Sequence, residues 1–521
     1  MKKPSSPGLI CRKLIMILSL FAFSLIALVP LFSQQTSNSF LIVNAQLADG
    51  TGAPLRKANV RVAYSHIVGI GELDPEKDEP TIDAKGLVLA PGFIDIHNHS
   101  EDGILTDPLA ETQIAQGITS LVVGADGDSP WPIINWVRNV QQLHIAPNIS
   151  LFAGHATIRE QVMGKDYKRT ATPPEIKMME LFLSQAMNQQ ALGLSSGLEY
   201  EVGGYSNTDE LVALARVAAE HHGIYLTHIR DEADKSFEAL EEEITIAERA
   251  HIPVEHSHIK LATVGVQGKA AAYINVINDA RKRGVDLMAD CYPYDAWYSN
   301  LKVLVPDKQY ENPKSVARAL ADVGGASHIT IAQFKPNPAY AGHTLADLAK
   351  AAHISDLNMF IRLIREGDAA STEATIICQA MTEPDIKAFY QQPWVMVASD
   401  GGIGSDHPRG AGTFPRVLGL YVREKQWLTL PEAIRKMTSL PAQRLGWKDR
   451  GIIREGMFAD LVLFNPETVI DRSTYTNPTA LPTGIEKVFV NGVLVWNNGK
   501  PTSVHPGHFL GRGGSPLDLL N

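Results

Sequence analysis

Eight strand-sized apolar runs alternate with helical stretches along the middle of the chain. They lie near residues 93–97, 119–124, 149–154, 191–197, 223–228, 253–258, 285–290 and 394–399. Helical periodicity fills intervals such as Pro174 to Ala191, Asp209 to His221 and Glu232 to Arg249. Parallel strands need a long crossover, and a helix is the usual one. Eight βα units in succession predict an α/β fold, a closed (β/α)8 barrel over residues 91–450. The interval before the last strand is much longer than the others. It predicts an inserted lid or subdomain at about 300–393, with Thr344 to Arg365 helical inside it.

The flanks follow a different period. Residues 36–90 hold short alternating runs (Phe40 to Val43, Ala58 to Val62, Gly86 to Leu89) punctuated by Asp49-Gly50 and Gly69 to Gly71, which read as a small antiparallel β unit. Similar runs return only at Ala459 to Phe464 and Lys487 to Val495, where Asn491-Gly492 is a strong hairpin turn. The two ends are therefore expected to build one β-sandwich, with 36–90 as its first part and 451–521 as its second part and tail.

Composition narrows the partners. Apolar residues make up 45% of the 521, charged residues 20%, and the net charge of −10 is spread without long blocks. That balance excludes nucleic acid as a partner and fits small-molecule chemistry. Residues 1–35 stand apart: Lys2, Lys3, Arg12 and Lys13 precede an apolar run from Leu14 to Phe32 and a polar tail. This pattern predicts a secretory signal peptide, or an uncleaved membrane anchor given the length of the run, and so an exported, periplasmic or secreted protein. Cys291 and Cys378 alone follow it, too few for a disulfide framework.

A barrel of this kind carries its chemistry at the C-terminal ends of its strands. Polar, metal-competent residues fall there in order: His97 and His99, Asp126, His155, Glu199, His228, His258 with Lys260, Asp290 with Tyr292 and Tyr294, and Asp400. His97 and His99 lie two apart and share a face of the first strand. Imidazole with carboxylate suits a divalent metal, zinc above all, with one or two ions per chain. His97, His99 and Asp400 are expected to hold one ion, and His228 and His258 another. Glu199 and Asp126 are the carboxylates available to bridge them. A metal lowers the pKa of bound water to about 7 and polarises a carbonyl, while Asp400 serves as general acid/base. The predicted reaction is hydrolysis of a C–N bond.

The stretch Ala90 to Ser100 (APGFIDIHNHS) resembles the first-strand signature of the amidohydrolase superfamily. Further stretches resemble its N-acyl-D-amino-acid deacylase (D-aminoacylase) branch: Gln116 to Gly124, Gly154 to Arg159, Leu192 to Leu198, Ser257 to Lys260, His407 to Arg409 with Gly412 to Gly419, and Met437 to Ala442. The resemblance implies metal binding by His97, His99, His228 and His258, and Asp400 as general acid/base. It implies that Lys260 and Arg409 hold the substrate carboxylate, with Tyr292 or Tyr294 adding a hydrogen bond. The implied substrates are small: N-acyl-D-amino acids, or dipeptides with a C-terminal D-residue. One departure stands out. The branch places a cysteine ligand after the second strand, and this chain has Gly124-Ala125-Asp126-Gly127 there. Glu199 is then expected to bridge the metals from the fourth strand, with Asp126, like His155, in a supporting or alternative-ligand role.

Two other readings compete, a cyclic amidase of hydantoinase or dihydroorotase type and a catalytically dead ligand-binding barrel. No fourth-strand lysine is recognisable, and His407-Pro408-Arg409 is present, both against the first. All four histidines and Asp400 are in place, against the second.

Overall fold

The computed structural model describes residues 39–517, so the predicted leader at 1–35 lies outside the described residues. Eight parallel strands form the barrel: Phe93–Asp95, Ile118–Val123, Asn148–Leu151 continuing as Ala153–Gly154, Gly193–Gly197, Ile224–His228, Val254–His256, Leu287–Cys291 and Val395–Val397. Each pairs in register with the next, and a parallel bridge between Asn98 and Gly401 closes the eighth onto the first. All eight sequence-predicted strands are present. The six residues of Ile118–Val123 are all buried, as a strand covered by helices outside and side chains inside requires.

Local chemistry sets where the barrel helices begin. Helix Pro173–Asn188 starts at a capping box in which Thr172 and Glu175 satisfy each other's backbone donors, with proline in the first turn. Helix Thr208–Glu220 starts at Asn207, whose side chain accepts from the Glu210 N–H.

Both chain ends enter one nine-stranded sheet. Leu461–Phe464 pairs antiparallel with Val88–Pro91, which joins the C-terminal strands to the N-terminal ones. Phe40 and Phe489 sit on strands three steps apart in this sheet, about 14 Å if it were flat. Their rings stack at 5.2 Å, so the sheet folds over on itself around Val60, Leu461 and Leu463. The N-terminal part is not purely antiparallel, as the alternation of its runs suggested. Ser39–Leu47 pairs parallel with Thr81–Asp83 and with Val88–Pro91, because the chain crosses over after the strand His66–Gly71 instead of turning back.

The insertion lies between the seventh and eighth barrel strands. It is a three-stranded antiparallel sheet, Trp297–Asn300, Ile329–Gln333 and Thr375–Cys378, backed by helices Pro313–Asp322, Leu345–Ala351 and Asp356–Ala369. It has its own apolar core around Phe334, Phe360 and Ile376, and Tyr292 and Tyr294 of the barrel rim join it.

Candidate active site

The barrel mouth and the insertion together enclose a cavity of about 610 Å³. Its floor is made of the strand ends. His97, His99, Asp126 and Asp400 bring ligand atoms within 4.8 Å of one another, and Asp126, His228 and His258 do the same. Asp126 belongs to both groups. His97 Nε2 lies 3.5 Å from Asp126 Oδ1 and 3.5 Å from Asp400 Oδ1. His99 Nε2 is 3.2 Å from Asp400 Oδ1 and 3.6 Å from Asp126 Oδ2. On the other side, His258 Nε2 is 3.6 Å from Asp126 Oδ2, and His228 Nδ1 faces His258 Nε2 at 2.9 Å.

These residues fit a metal. His97 is fully buried with neither ring nitrogen hydrogen-bonded, and Asp126 Oδ1 is equally unpartnered. Buried polar atoms in that state are rare. Two ligands each about 2.0–2.2 Å from a tetrahedral zinc stand roughly 3.4 Å apart, close to the separations seen. Burial works against charge on His97, yet the carboxylates of Asp290, Asp126 and Asp400 outweigh it and hold the ring well above its ordinary value. His99 is raised to about 10 by the same contest, burial opposing Asp126 and Asp400. Asp126 and Asp400 are both held below the usual carboxylate range despite burial, Asp126 chiefly by His97 and His258, Asp400 chiefly by Arg409. Such a cluster stabilises positive charge at its centre.

The outer nitrogen of each buried ring has its own carboxylate. His97 Nδ1 faces Asp290 Oδ2 at 3.4 Å. His228 Nε2 meets Glu199 Oε2 at 2.9 Å. His258 Nδ1 lies 3.2 Å from Glu232 Oε1. The Glu199 contact is a hydrogen bond of the kind that fixes a tautomer and leaves the other nitrogen free to ligate, while His258 Nδ1 also accepts from Lys260 Nζ at 2.7 Å.

The predicted bridge by Glu199 is corrected by this geometry. Glu199 lies on the outer face of His228, grouped with Glu232 and not with His97, His99 or Asp400. The position between the two histidine pairs is taken by Asp126. Its backbone is left-handed (φ 53°), and so are those of Gly124 (φ 78°) and Gly127 (φ 85°) on either side. A Cβ on Gly124 would lie 2.5 Å from the Phe152 carbonyl oxygen, and one on Gly127 would lie 2.8 Å from the Gly197 nitrogen. The turn therefore presses against the third and fourth strands and presents Asp126 to the floor.

His155 is also not where it was expected. It opens helix His155–Met163, and its Nε2 pairs with Glu210 at 2.9 Å in a buried cluster with Arg159. It does not line the cavity. Lys260, Arg409 and Tyr292 do line it. Lys260 Nζ donates to Glu232 at 2.6 Å. Arg409 Nη1 pairs with Asp400 Oδ2 at 2.6 Å, and its guanidinium sits 4.8 Å from the centre of the Tyr292 ring. Tyr294 instead bonds to Pro408 and Asp471 away from the cavity. Sequence reasoning gave Glu232 no part in the site and read it as the start of a helix, whereas the helix begins at Ser236 and Glu232 lies in the loop four residues past His228; it also gave Asp290 no specific role despite its place at a strand end.

Residues 80–496 match the amidohydrolase family. The chain belongs to that family. Among its relatives, the N-acyl-D-glutamate deacylase of Alcaligenes xylosoxydans xylosoxydans is 34% identical over 511 residues, covering 92% of this chain and 98% of the relative. The D-aminoacylase of the same organism is 33% identical, covering 92% and 99%. Among solved structures, the N-acyl-D-glutamate deacylase of Bordetella bronchiseptica, complexed with zinc and a phosphonate mimic of the tetrahedral intermediate, superposes with a TM-score of 0.81 at 33% identity over 90% of this amidohydrolase and 98% of that chain. A dihydropyrimidinase from Brevibacillus agri, at 15% identity and a TM-score of 0.57, shares the fold.

Proposed function

We propose that this amidohydrolase cleaves the amide bond of N-acyl-D-amino acids, or of dipeptides ending in a D-residue, with one or two divalent ions, zinc foremost. The observation that carries the reading is the cavity floor, where two histidine pairs are joined by Asp126 below the cations Lys260 and Arg409. Relatives spanning nearly the whole chain are an N-acyl-D-glutamate deacylase, a D-aminoacylase and an N-acyl-D-aspartate deacylase.

An ion held by these groups supplies an activated water and polarises the scissile carbonyl. Asp400 takes the proton of the water as its oxygen adds to the amide carbon. It then delivers that proton to the leaving nitrogen as the C–N bond breaks, giving a carboxylic acid and a free D-amino acid. Lys260 and Arg409 hold the α-carboxylate, one as a point charge and one as a planar fork.

The cavity wall also supports a side-chain preference. Lys260 and Arg409 are its lysines and arginines, and each is already ion-paired. Ala262, Trp297, Val303, Leu304 and Pro306 give it an apolar side. An apolar D-side chain suits that wall better than a second carboxylate does. The test is metal content together with a panel of N-acetyl-D-leucine, N-acetyl-L-leucine, N-acetyl-D-glutamate and L-Ala-D-Leu. Zinc-dependent, D-selective turnover favouring leucine over glutamate is expected, and turnover of ring amides instead would overturn the reading. The basic flank and apolar run of residues 1–35 support export as part of the same proposal, checked by fractionating the host cell.

A further inference from the structure

The two cations that face the cavity are not idle in the free protein. Lys260 is held by Glu232, and Arg409 by the residue that must accept the proton of the attacking water. The oxygens of Asp400 divide the work. Oδ1 faces His97 and His99 at 3.5 and 3.2 Å, while Oδ2 receives Arg409 Nη1 at 2.6 Å. The pair is thus compatible with a filled metal position, because the histidines and the arginine address different oxygens. Asp400 and Arg409 are each about 4% exposed, so water competes little for either. The guanidinium Nε is buried without a partner, which leaves Arg409 with donor capacity that this structure does not use. The Tyr292 and Tyr298 rings, 4.8 and 5.8 Å from the guanidinium centre, pack beside it.

We propose that Arg409 is a latch on Asp400: it occupies Oδ2 in the free enzyme and loosens its hold when the α-carboxylate of the substrate arrives to share the guanidinium. The inference rests on the deacylase reading and adds that the substrate carboxylate activates the base as well as anchoring the molecule. One guanidinium drawn by two carboxylates holds each less firmly than it held the first. An oxygen that already accepts a charge-assisted hydrogen bond is poorly placed to take a proton from water. A substrate without the carboxylate therefore meets a base that is still engaged, so its penalty falls on kcat as well as on KM.

The experiment uses the full-length zinc-loaded enzyme, N-acetyl-D-leucine, and N-(3-methylbutyl)acetamide, the same molecule lacking its carboxylate. The wild type should hydrolyse the second compound slowly, and added formate should raise its kcat. Arg409→Met should hydrolyse the carboxylate-free amide faster than the wild type does, without response to formate, while losing turnover of N-acetyl-D-leucine. If Arg409→Met is no faster on that amide, Arg409 is a binding group only and the latch is wrong. A second readout needs no turnover. By calorimetry on metal-free protein, Asp400→Asn should bind N-acetyl-D-leucine at least about tenfold tighter than the wild type, the scale of a released charge-assisted hydrogen bond. That gain should vanish in an Arg409→Met background. An equal gain in both backgrounds overturns the competition. Arg409→Gln, which keeps a polar side chain but removes the cation, substitutes if the methionine variant does not fold. The binding cycle decides the latch even if N-acetyl-D-leucine were bound and left uncleaved, the result that would sink the deacylase reading itself.

Discussion

Three residues at the heart of the site, Asp126, His258 and Asp400, have left-handed backbones, with φ of 53°, 36° and 48°. Each such residue costs on the order of 1–3 kcal/mol and persists only where its surroundings over-determine it. Two of the three are visibly pinned: the Asp400 N–H donates to the His97 carbonyl at 2.9 Å, and the His258 N–H to Asp290 Oδ1 at 2.9 Å. Asp290 thus both turns His258 inward and backs His97. Asp290→Ala is expected to weaken zinc binding by about 10–100-fold, measured by competition with a chelator. Unchanged affinity would remove Asp290 from the site. Asp126→Ala should strip more zinc than Glu199→Ala, because one sits between the histidine pairs and the other behind His228; elemental analysis of the two variants decides the order. That contrast also marks where the sequence stopped being readable. The histidines were legible because imidazoles cluster so close to the strand ends, although only His228 lies within its strand and His97, His99 and His258 follow just after theirs. Asp126 and Glu199 lie beyond their strands, where the backbone turns, and no period reports which way a loop carboxylate points.

At the scale of elements, the strands were legible because a parallel strand buried on both faces is a short continuous apolar run. Helix starts carried equally local marks, such as Thr172 with Glu175. The parallel pairing of Ser39–Leu47 was not legible, since the same alternation serves either direction. Helix Leu430–Met437 shows how an element is tied down by a charge. Lys436 is 1% exposed, and its Nζ donates to the Val395 carbonyl at 2.8 Å and to that of Gln392. Burial pulls its pKa down from the ordinary lysine value to about 8. In the unfolded chain it stays near 10.4. Below about pH 8 both states carry the proton, and the burial penalty is fully in place. Between about pH 8 and about pH 10.4 only the unfolded state keeps it, so this group makes stability rise with pH across that window. The wild type should gain up to about 3 kcal/mol relative to Lys436→Met over the window, read from denaturant unfolding of both proteins. A difference that does not change with pH would sink the assignment.

For the whole molecule, the barrel is bracketed by a sheet that neither chain end can complete alone. Val88–Pro91 is an inner strand only because Leu461–Phe464 covers it. A chain ending after residue 450 would leave its backbone donors and acceptors open, along with the apolar face around Leu89. Such a truncation is expected to aggregate; a soluble, zinc-loaded and active product would show that the barrel stands without the sheet. The insertion plays a different part. It has its own core and supplies the apolar side of the cavity through Trp297, Val303 and Leu304, so changes there should move substrate preference before they move metal content.

The same sheet sets a clock on the ribosome. The partners Pro91 and Leu461 are about 370 residues apart, and at roughly 5–20 residues per second the second follows the first by about 20–75 seconds. Throughout that interval the newborn chain carries a strand waiting for a neighbour not yet made. Whatever shields that strand during translation, a chaperone or the chain's own transient contacts, has as much bearing on the yield of this protein as anything in its finished form.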